Sequence, residues 1–182
     1  MSVRIIAGQW RRRRIPITPH EQLRPSGDRV RETLFNWLTP YLDGACCLDL
    51  FAGTGVLGIE ALSRGALKAT LVEKDVQLAA QLNALSEQFD HPGLTIIHRE
   101  ALDWLRTTEP EPYDIVFLDP PFKENLLHAS LELLQAGWLA PHAKIYIESG
   151  EELSEFVLPE SLEWTKRARL GNVSLGLAAT RA

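Results

Sequence analysis

From Cys46 to Glu148 the chain alternates short runs of β-branched and bulky apolar residues with helix-length amphipathic stretches, and this alternation limits the fold more than any other feature. Continuous apolar runs are the pattern of strands buried on both faces. Strands are predicted at about 46–50, 68–73, 94–98, 113–118 and 143–148, with helices near 56–64, 76–88, 100–107 and 125–135. Alternation of this kind builds a largely parallel sheet with helices on both faces. After Glu148 a short helix is predicted near 151–156, followed by runs at Trp164–Leu170 and Val173–Thr180. Gly171-Asn172 between those runs is a hairpin signal, so the sheet should end in an antiparallel pair.

Ahead of this body, Val3–Ile6 and Arg14–Ile17 have the short extended pattern of a small ribbon, with Arg11, Arg12, Arg13 and Arg14 between and beside them. If the extended period holds, Arg11 and Arg13 face one way and Arg12 and Arg14 the other, with Trp10 adding an aromatic surface. Asp28 is the expected N-cap of an amphipathic helix whose apolar face is Val30, Leu34, Trp37 and Leu38, ending near Pro40. The division expected is a basic ribbon and helix over 1–40 as an appendage, and a body over 41–182.

The net charge of −5 conceals an asymmetry. Residues 1–31 hold eight arginines against Glu21 and Asp28, a balance of +6, which leaves −11 for the remainder. A basic arm on an acidic body points to an anionic partner met by the arm, the alternative being a solvated, solubilising tail. Cys46 and Cys47 are adjacent in an apolar strand, which suits reduced core thiols, and no His/Cys cluster has zinc-ligand spacing, so no metal is expected. No run is long enough to span a bilayer, and a cytoplasmic protein is expected.

Two stretches carry chemistry. In Asp114–Phe122 a buried strand stops abruptly at Asp119-Pro120-Pro121-Phe122. The prolines fix φ and remove two N–H donors, so the Asp119 and Pro120 carbonyls lose regular ladder partners at the carboxyl end of a strand, where open α/β sheets bind ligands. By itself the corner also reads as a strand-ending turn with a core phenylalanine. In Leu48–Gly55 a strand runs into Gly53-Thr54-Gly55 and a helix, and Glu73 ends the next strand 20 residues after Gly53, the spacing of an acid that binds ribose hydroxyls. The third glycine, Gly58, is misplaced for a dinucleotide fingerprint, and Asp49 would repel a pyrophosphate but attract a cation. These acids fit S-adenosylmethionine, which has an amino-acid group, a sulfonium and a ribose but no phosphate. Phe51 and Lys74 flank the set, and Glu100-Ala101 would sit at the adenine edge, unless Glu100 is only an acid favoured by a helix N-terminus.

Leu48–Gly55, Glu73 and Asp119–Phe122, in that order, resemble the class I amino-methyltransferases, whose Rossmann-like fold has a seven-stranded sheet with the C-terminal antiparallel hairpin read above. More narrowly, Arg24–Leu38, Arg4–Gly8 and Phe117–Phe122 resemble the RsmD family of bacterial small-subunit ribosomal RNA guanine-N2 methyltransferases. The sequence departs from that family where Glu100 replaces a usual Asp and where Ser174–Ala182 lacks a common aromatic. The resemblance implies methyl transfer to the exocyclic N2 of a guanine in 16S ribosomal RNA, in the small subunit or its assembly intermediate. Asp119 and Pro120 would orient the amine at the Pro121 corner, and Phe122 would stack on an unpaired or flipped base. Arg11 to Arg14 would hold RNA phosphates; Arg24, Arg29 and Arg31 would join them, pair with acids of the body, or line the site mouth near the cofactor. Alternatives on the same residues are a DNA or other RNA amino-methyltransferase, or a non-catalytic RNA-binding assembly factor.

Overall fold

The computed structural model describes residues 2–17, 27–121 and 126–181. The elements are β1 (Ser2–Arg4), β2 (Arg14–Pro16), α1 (Asp28–Leu38), β3 (Cys46–Asp49), α2 (Val56–Ser63), β4 (Lys68–Glu73) and α3 (Val76–Phe89). They continue with β5 (Leu94–His98), α4 (Ala101–Thr107), β6 (Tyr113–Leu118), α5 (Leu126–Leu134), β7 (Leu139–Ser149), β8 (Leu162–Leu170) and β9 (Val173–Thr180). Seven strands form one sheet in the order β5-β4-β3-β6-β7-β9-β8. The five from β5 to β7 run parallel, and β9 lies antiparallel to both β7 and β8. β1 and β2 pair separately, Val3 opposite Ile15.

The strand order follows from burial. Ile115, Val116, Phe117 and Leu118 of β6 are fully buried, which requires a cover on each face. One face packs Cys47, Leu71, Phe117, Tyr146 and Leu177 against α1, α2, α3 and the ribbon. The other packs Leu48, Val72, Val116, Leu118 and Ile147 against Trp104 of α4 and Leu131 and Leu134 of α5. Strand period two assigns each residue to one layer or the other. All of α2 is buried, and it approaches β4 so closely that a Cβ on Gly58 would lie 2.5 Å from Leu71 Cδ1. The ribbon shares that first core: Val3, Ile5, Trp10 and Ile15 pack with Val30, Leu34 and Phe35 of α1.

Four expectations change. The stretch 151–156 is a series of turns, because Leu153 alone is buried there and one anchor does not require a helix. The N-cap of α1 is Gly27; Asp28 is the first helical residue, and its carboxylate accepts from Arg31 Nη2 at 2.7 Å and Arg4 Nε at 3.2 Å. Arg11 to Arg13 lie in the turn joining β1 and β2, with Arg12 at φ 72°, so the period-two alternation of the four arginines does not hold. Trp10 is not an outer surface: it is buried against Phe89, with centroids 4.7 Å apart, and meets His91 edge-on.

Candidate active site

Parallel strands place their carboxyl ends together, and in this sheet four of those ends bear an acid on the same face. Asp49, Glu73 and Glu148 end or nearly end β3, β4 and β7, and Asp119 immediately follows β6. Each continues the alternation of a residue in the ribbon-side core: Cys47, Leu71, Tyr146 and Phe117. Asp49, Glu73 and Glu148 are buried and Asp119 is half-buried.

The glycine loop is shaped by two of these acids. Gly53 and Gly55 adopt left-handed φ values of 52° and 73°, which an L side chain resists. At Gly55 a Cβ would also come 2.5 Å from Leu82 Cδ2. Gly53 N–H donates to Glu73 Oε2 and Asp75 N–H to Glu73 Oε1, both at 2.8 Å. Glu73 therefore ties the loop after β3 to the loop after β4. Asp49 Oδ2 accepts from Gly58 N–H at 3.3 Å, in the first turn of α2. Burial, with the nearby charge of Glu73, raises the Asp49 carboxyl to about 7, against the pull of the Gly58 hydrogen bond. Such a carboxyl is poised to ionise when a cation arrives.

Phe51 is half-buried in the same loop, and Lys74 is exposed beyond Glu73, its carbonyl within 3.2 Å of His98 Nε2. Glu100 caps α4, accepting from Asp103 N–H at 2.7 Å, with its side chain exposed and Ala101 buried behind it. The helix-cap reading of Glu100 is thus the one with a visible contact.

At the end of β6, Pro120 is buried and Pro121 half-buried, while Phe122 lies outside the described residues. β3 pairs directly with β6, Asp49 beside Phe117, so the corner and the glycine loop are neighbours. A further pair was not singled out from the sequence: Tyr146 OH donates to Glu148 Oε2 at 2.8 Å, both groups being buried. Burial, the charges of Glu148 and Asp119, and the hydrogen bond raise the Tyr146 hydroxyl well above its usual range, so it keeps its proton. Its sequence signal is an acid two residues after a tyrosine in a strand otherwise apolar, Ile145-Tyr146-Ile147-Glu148.

The arginines separate into two groups. Arg11, Arg12, Arg13, Arg14 and Arg29 are exposed, Arg13 lying over the Phe89 ring at 4.9 Å; Arg24 is outside the described residues. Arg31 is fully buried between Asp28 and Glu60, which excludes it from an RNA contact and assigns it to the pairing alternative. Glu60 also accepts from the N–H groups of Ile6 and Ala7, at 2.8 and 3.0 Å, and from Arg64 Nε at 2.8 Å. Ser63 Oγ accepts from Trp10 N–H and donates to the Ala7 carbonyl. The basic turn is therefore bound to α2 by defined polar contacts. Among the described residues no three of His, Cys, Asp and Glu converge as a metal shell, and no helix is long and apolar enough to cross a membrane. Cys46 and Cys47 are unbridged, and burial raises the Cys47 thiol.

Comparison with known proteins matches this arrangement over nearly its whole length. A family model described as Conserved hypothetical protein 95 matches residues 3–179. The ribosomal RNA small subunit methyltransferase D of Haemophilus influenzae is 46% identical over 180 residues, 97% of this chain and 93% of that protein. Its namesake from Escherichia coli strain K12 is 43% identical over 177 residues, 97% and 89% of the two chains. The solved structure of a putative methyltransferase from Escherichia coli superposes with a TM-score of 0.90 at 39% identity, covering 99% of this chain and 98% of that one.

Proposed function

Because the chain belongs to the ribosomal RNA small subunit methyltransferase D family, we propose that it transfers a methyl group from S-adenosylmethionine to the exocyclic N2 of a guanine in 16S ribosomal RNA. The observation that carries this reading is the pairing of β3 with β6, which sets the glycine loop beside the Asp119-Pro120 corner. The proposed substrate is the small subunit or its assembly intermediate, in the cytoplasm.

The residues fit the proposed cofactor. Asp49 is a buried carboxyl that a cationic ligand would ionise, and Glu73 holds the loop through one lone pair of each oxygen, leaving further acceptor capacity for ribose hydroxyls. Phe51, Lys74 and Ala101 complete the expected lining, and Glu100 contributes by capping α4. When bound, S-adenosylmethionine supplies a methyl carbon on a sulfonium, with the S–C bond breaking toward sulfur.

The chain supplies positioning. N2 of guanine is a weak nucleophile because its lone pair is delocalised into the ring. Asp119 and the Pro120 carbonyl accept the two amino hydrogens and favour a more pyramidal nitrogen, held in line with the methyl carbon. Asp119 need not be a strong base, since the amine becomes acidic only as the N–C bond forms; its carboxylate or water then takes the proton. In this reading Phe122 stacks on the base and Pro121 stiffens the corner. Arg11 to Arg14, with Arg24 and Arg29, hold phosphates, a contact blind to sequence.

The test is to incubate the protein with methyl-labelled S-adenosylmethionine and small-subunit RNA, free and in particles, and map the labelled nucleoside. N2-methylguanosine at one position is the expected product. Asp119→Ala should bind S-adenosylmethionine within a few-fold of wild type and lose transfer; full transfer by that variant removes Asp119 from the mechanism.

A further inference from the structure

An amine-orienting corner does not distinguish guanine from other bases bearing an amino group. Adenine and cytosine also present one, so Asp119 and Pro120 leave the choice of base open. What differs is the adjacent ring nitrogen. Beside the amino group, guanine carries N1–H, a donor, whereas adenine N1 and cytosine N3 are acceptors. A group that selects guanine at this corner must therefore be an acceptor, placed next to the one that takes the amino hydrogens and prevented from turning into a donor.

Glu148 meets these conditions. β6 and β7 are parallel with Phe117 beside Tyr146 and Leu118 beside Ile147, so the next pair in that register is Asp119 and Glu148. Both continue the ribbon-side face, on which Phe117 and Tyr146 pack edge to face with centroids 6.5 Å apart. The Glu148 side chain is almost wholly buried, 4% exposed, yet sits at a strand end rather than inside the apolar core. Tyr146 OH donates to its Oε2 at 2.8 Å. Because the tyrosine keeps its proton, it is the donor and Oε2 the acceptor of this pair. A carboxylate has about four acceptor sites, so it can take a ring N–H alongside the contacts it already makes.

We propose that Glu148 is the specificity-determining residue for guanine: its carboxylate, oriented by the Tyr146 hydroxyl beside the Asp119-Pro120 corner, accepts the ring N1–H while the corner accepts the amino hydrogens. An adenine or cytosine there would set a ring lone pair against a buried carboxylate. Sites built to hydrogen-bond a substrate reject analogues that leave their polar groups unpaired, by factors of roughly 10⁴ or more. The inference rests on the guanine-N2 reading above and deepens it.

The test uses the RNA position mapped as N2-methylguanosine, with guanine or with 2-aminopurine placed there; 2-aminopurine keeps the 2-amino group but has an acceptor at N1. Wild-type enzyme should methylate the guanine RNA and leave the 2-aminopurine RNA almost untouched. Glu148→Gln, whose amide can donate to that acceptor, should lower kcat/KM on guanine by about 10- to 100-fold and narrow the preference at least tenfold. Glu148→Asp, which keeps the acceptor, should retain the preference. Both variants are compared on the same two RNAs, so the missing O6 of 2-aminopurine cancels. Tyr146→Phe provides a second line, narrowing the preference several-fold with S-adenosylmethionine affinity unchanged. Equal losses on both RNAs in Glu148→Gln and Tyr146→Phe would leave only a structural role and overturn the proposal. Failure of wild type to form N2-methylguanosine at all would instead overturn the guanine-N2 reading.

Discussion

A single carboxyl illustrates how this site stores its affinity. Asp49 is almost fully buried at the end of β3, and its carboxyl is raised to about 7 chiefly by lost hydration. The folded state therefore binds its proton more tightly than the unfolded chain does, and between about pH 4 and pH 7 this residue makes folding less favourable as pH rises. The accumulated loss above pH 7 is on the order of 4 kcal/mol. Asp49→Asn should accordingly raise the urea midpoint at pH 8 and change it little at pH 4. The proposed function has the opposite requirement. Affinity for S-adenosylmethionine should rise roughly tenfold from pH 6 to pH 8 as Asp49 becomes ionised, and titration calorimetry of Asp49→Asn should show that share of the slope removed. A wild-type slope matched by the variant would mean that Asp49 does not face the cofactor.

At the scale of elements, α2 is where the ribbon and the glycine loop are joined. Its N-terminus follows Gly55, and Glu60 and Ser63, one and two turns on, hold the ribbon turn. Gly8 makes that approach possible: it has φ 84°, and a Cβ there would fall 1.7 Å from the Ser63 carbonyl oxygen. Glu60 satisfies two backbone N–H groups and two arginines, with its own side chain fully buried. Removing its charge while leaving Arg31 buried belongs to the costly class of broken interior ion pairs, about 3–5 kcal/mol. Glu60→Gln should lower the unfolding free energy in urea by an amount approaching that range. A change under about 1 kcal/mol would show the network to be no stronger than a surface pair.

Over the whole molecule, the attachment fixes where the basic turn lies. α2 has eight residues, so its rise separates the Gly55 end from the Ser63 end by roughly 12 Å. The ribbon turn is thus tied to the Ser63 end of α2, at the opposite end of that helix from the glycine loop. All four arginines are exposed, and in the proposed function they release counterions when RNA binds. Replacing the four by Ala should reduce the slope of log affinity against log salt by up to about 3, measured with small-subunit RNA. An unchanged slope would return the turn to the role of a solubilising surface.

How much of this was legible beforehand differs by kind of residue. The order of strands and helices, the glycine turn, the acid 20 residues on and the proline corner are local patterns, set by side-chain periodicity and by the special φ of Gly and Pro, and they appear in the linear sequence. The terminal hairpin at Gly171-Asn172 was readable for the same reason. What local pattern could not decide was the partner of each polar group. Whether Arg31 met RNA or an acid of the body was decided only when Glu60, 29 residues away, closed over it, and Trp10 looked like a surface ring until Phe89 covered it. The turns at 151–156 are of this kind too, since one buried leucine does not declare a helix. Glu148 gains its place beside Asp119 only when β7 pairs with β6. By itself the sequence determined the elements and the acids, glycines and prolines at their ends; burial and neighbours, which depend on contacts between distant segments, were decided by the tertiary structure.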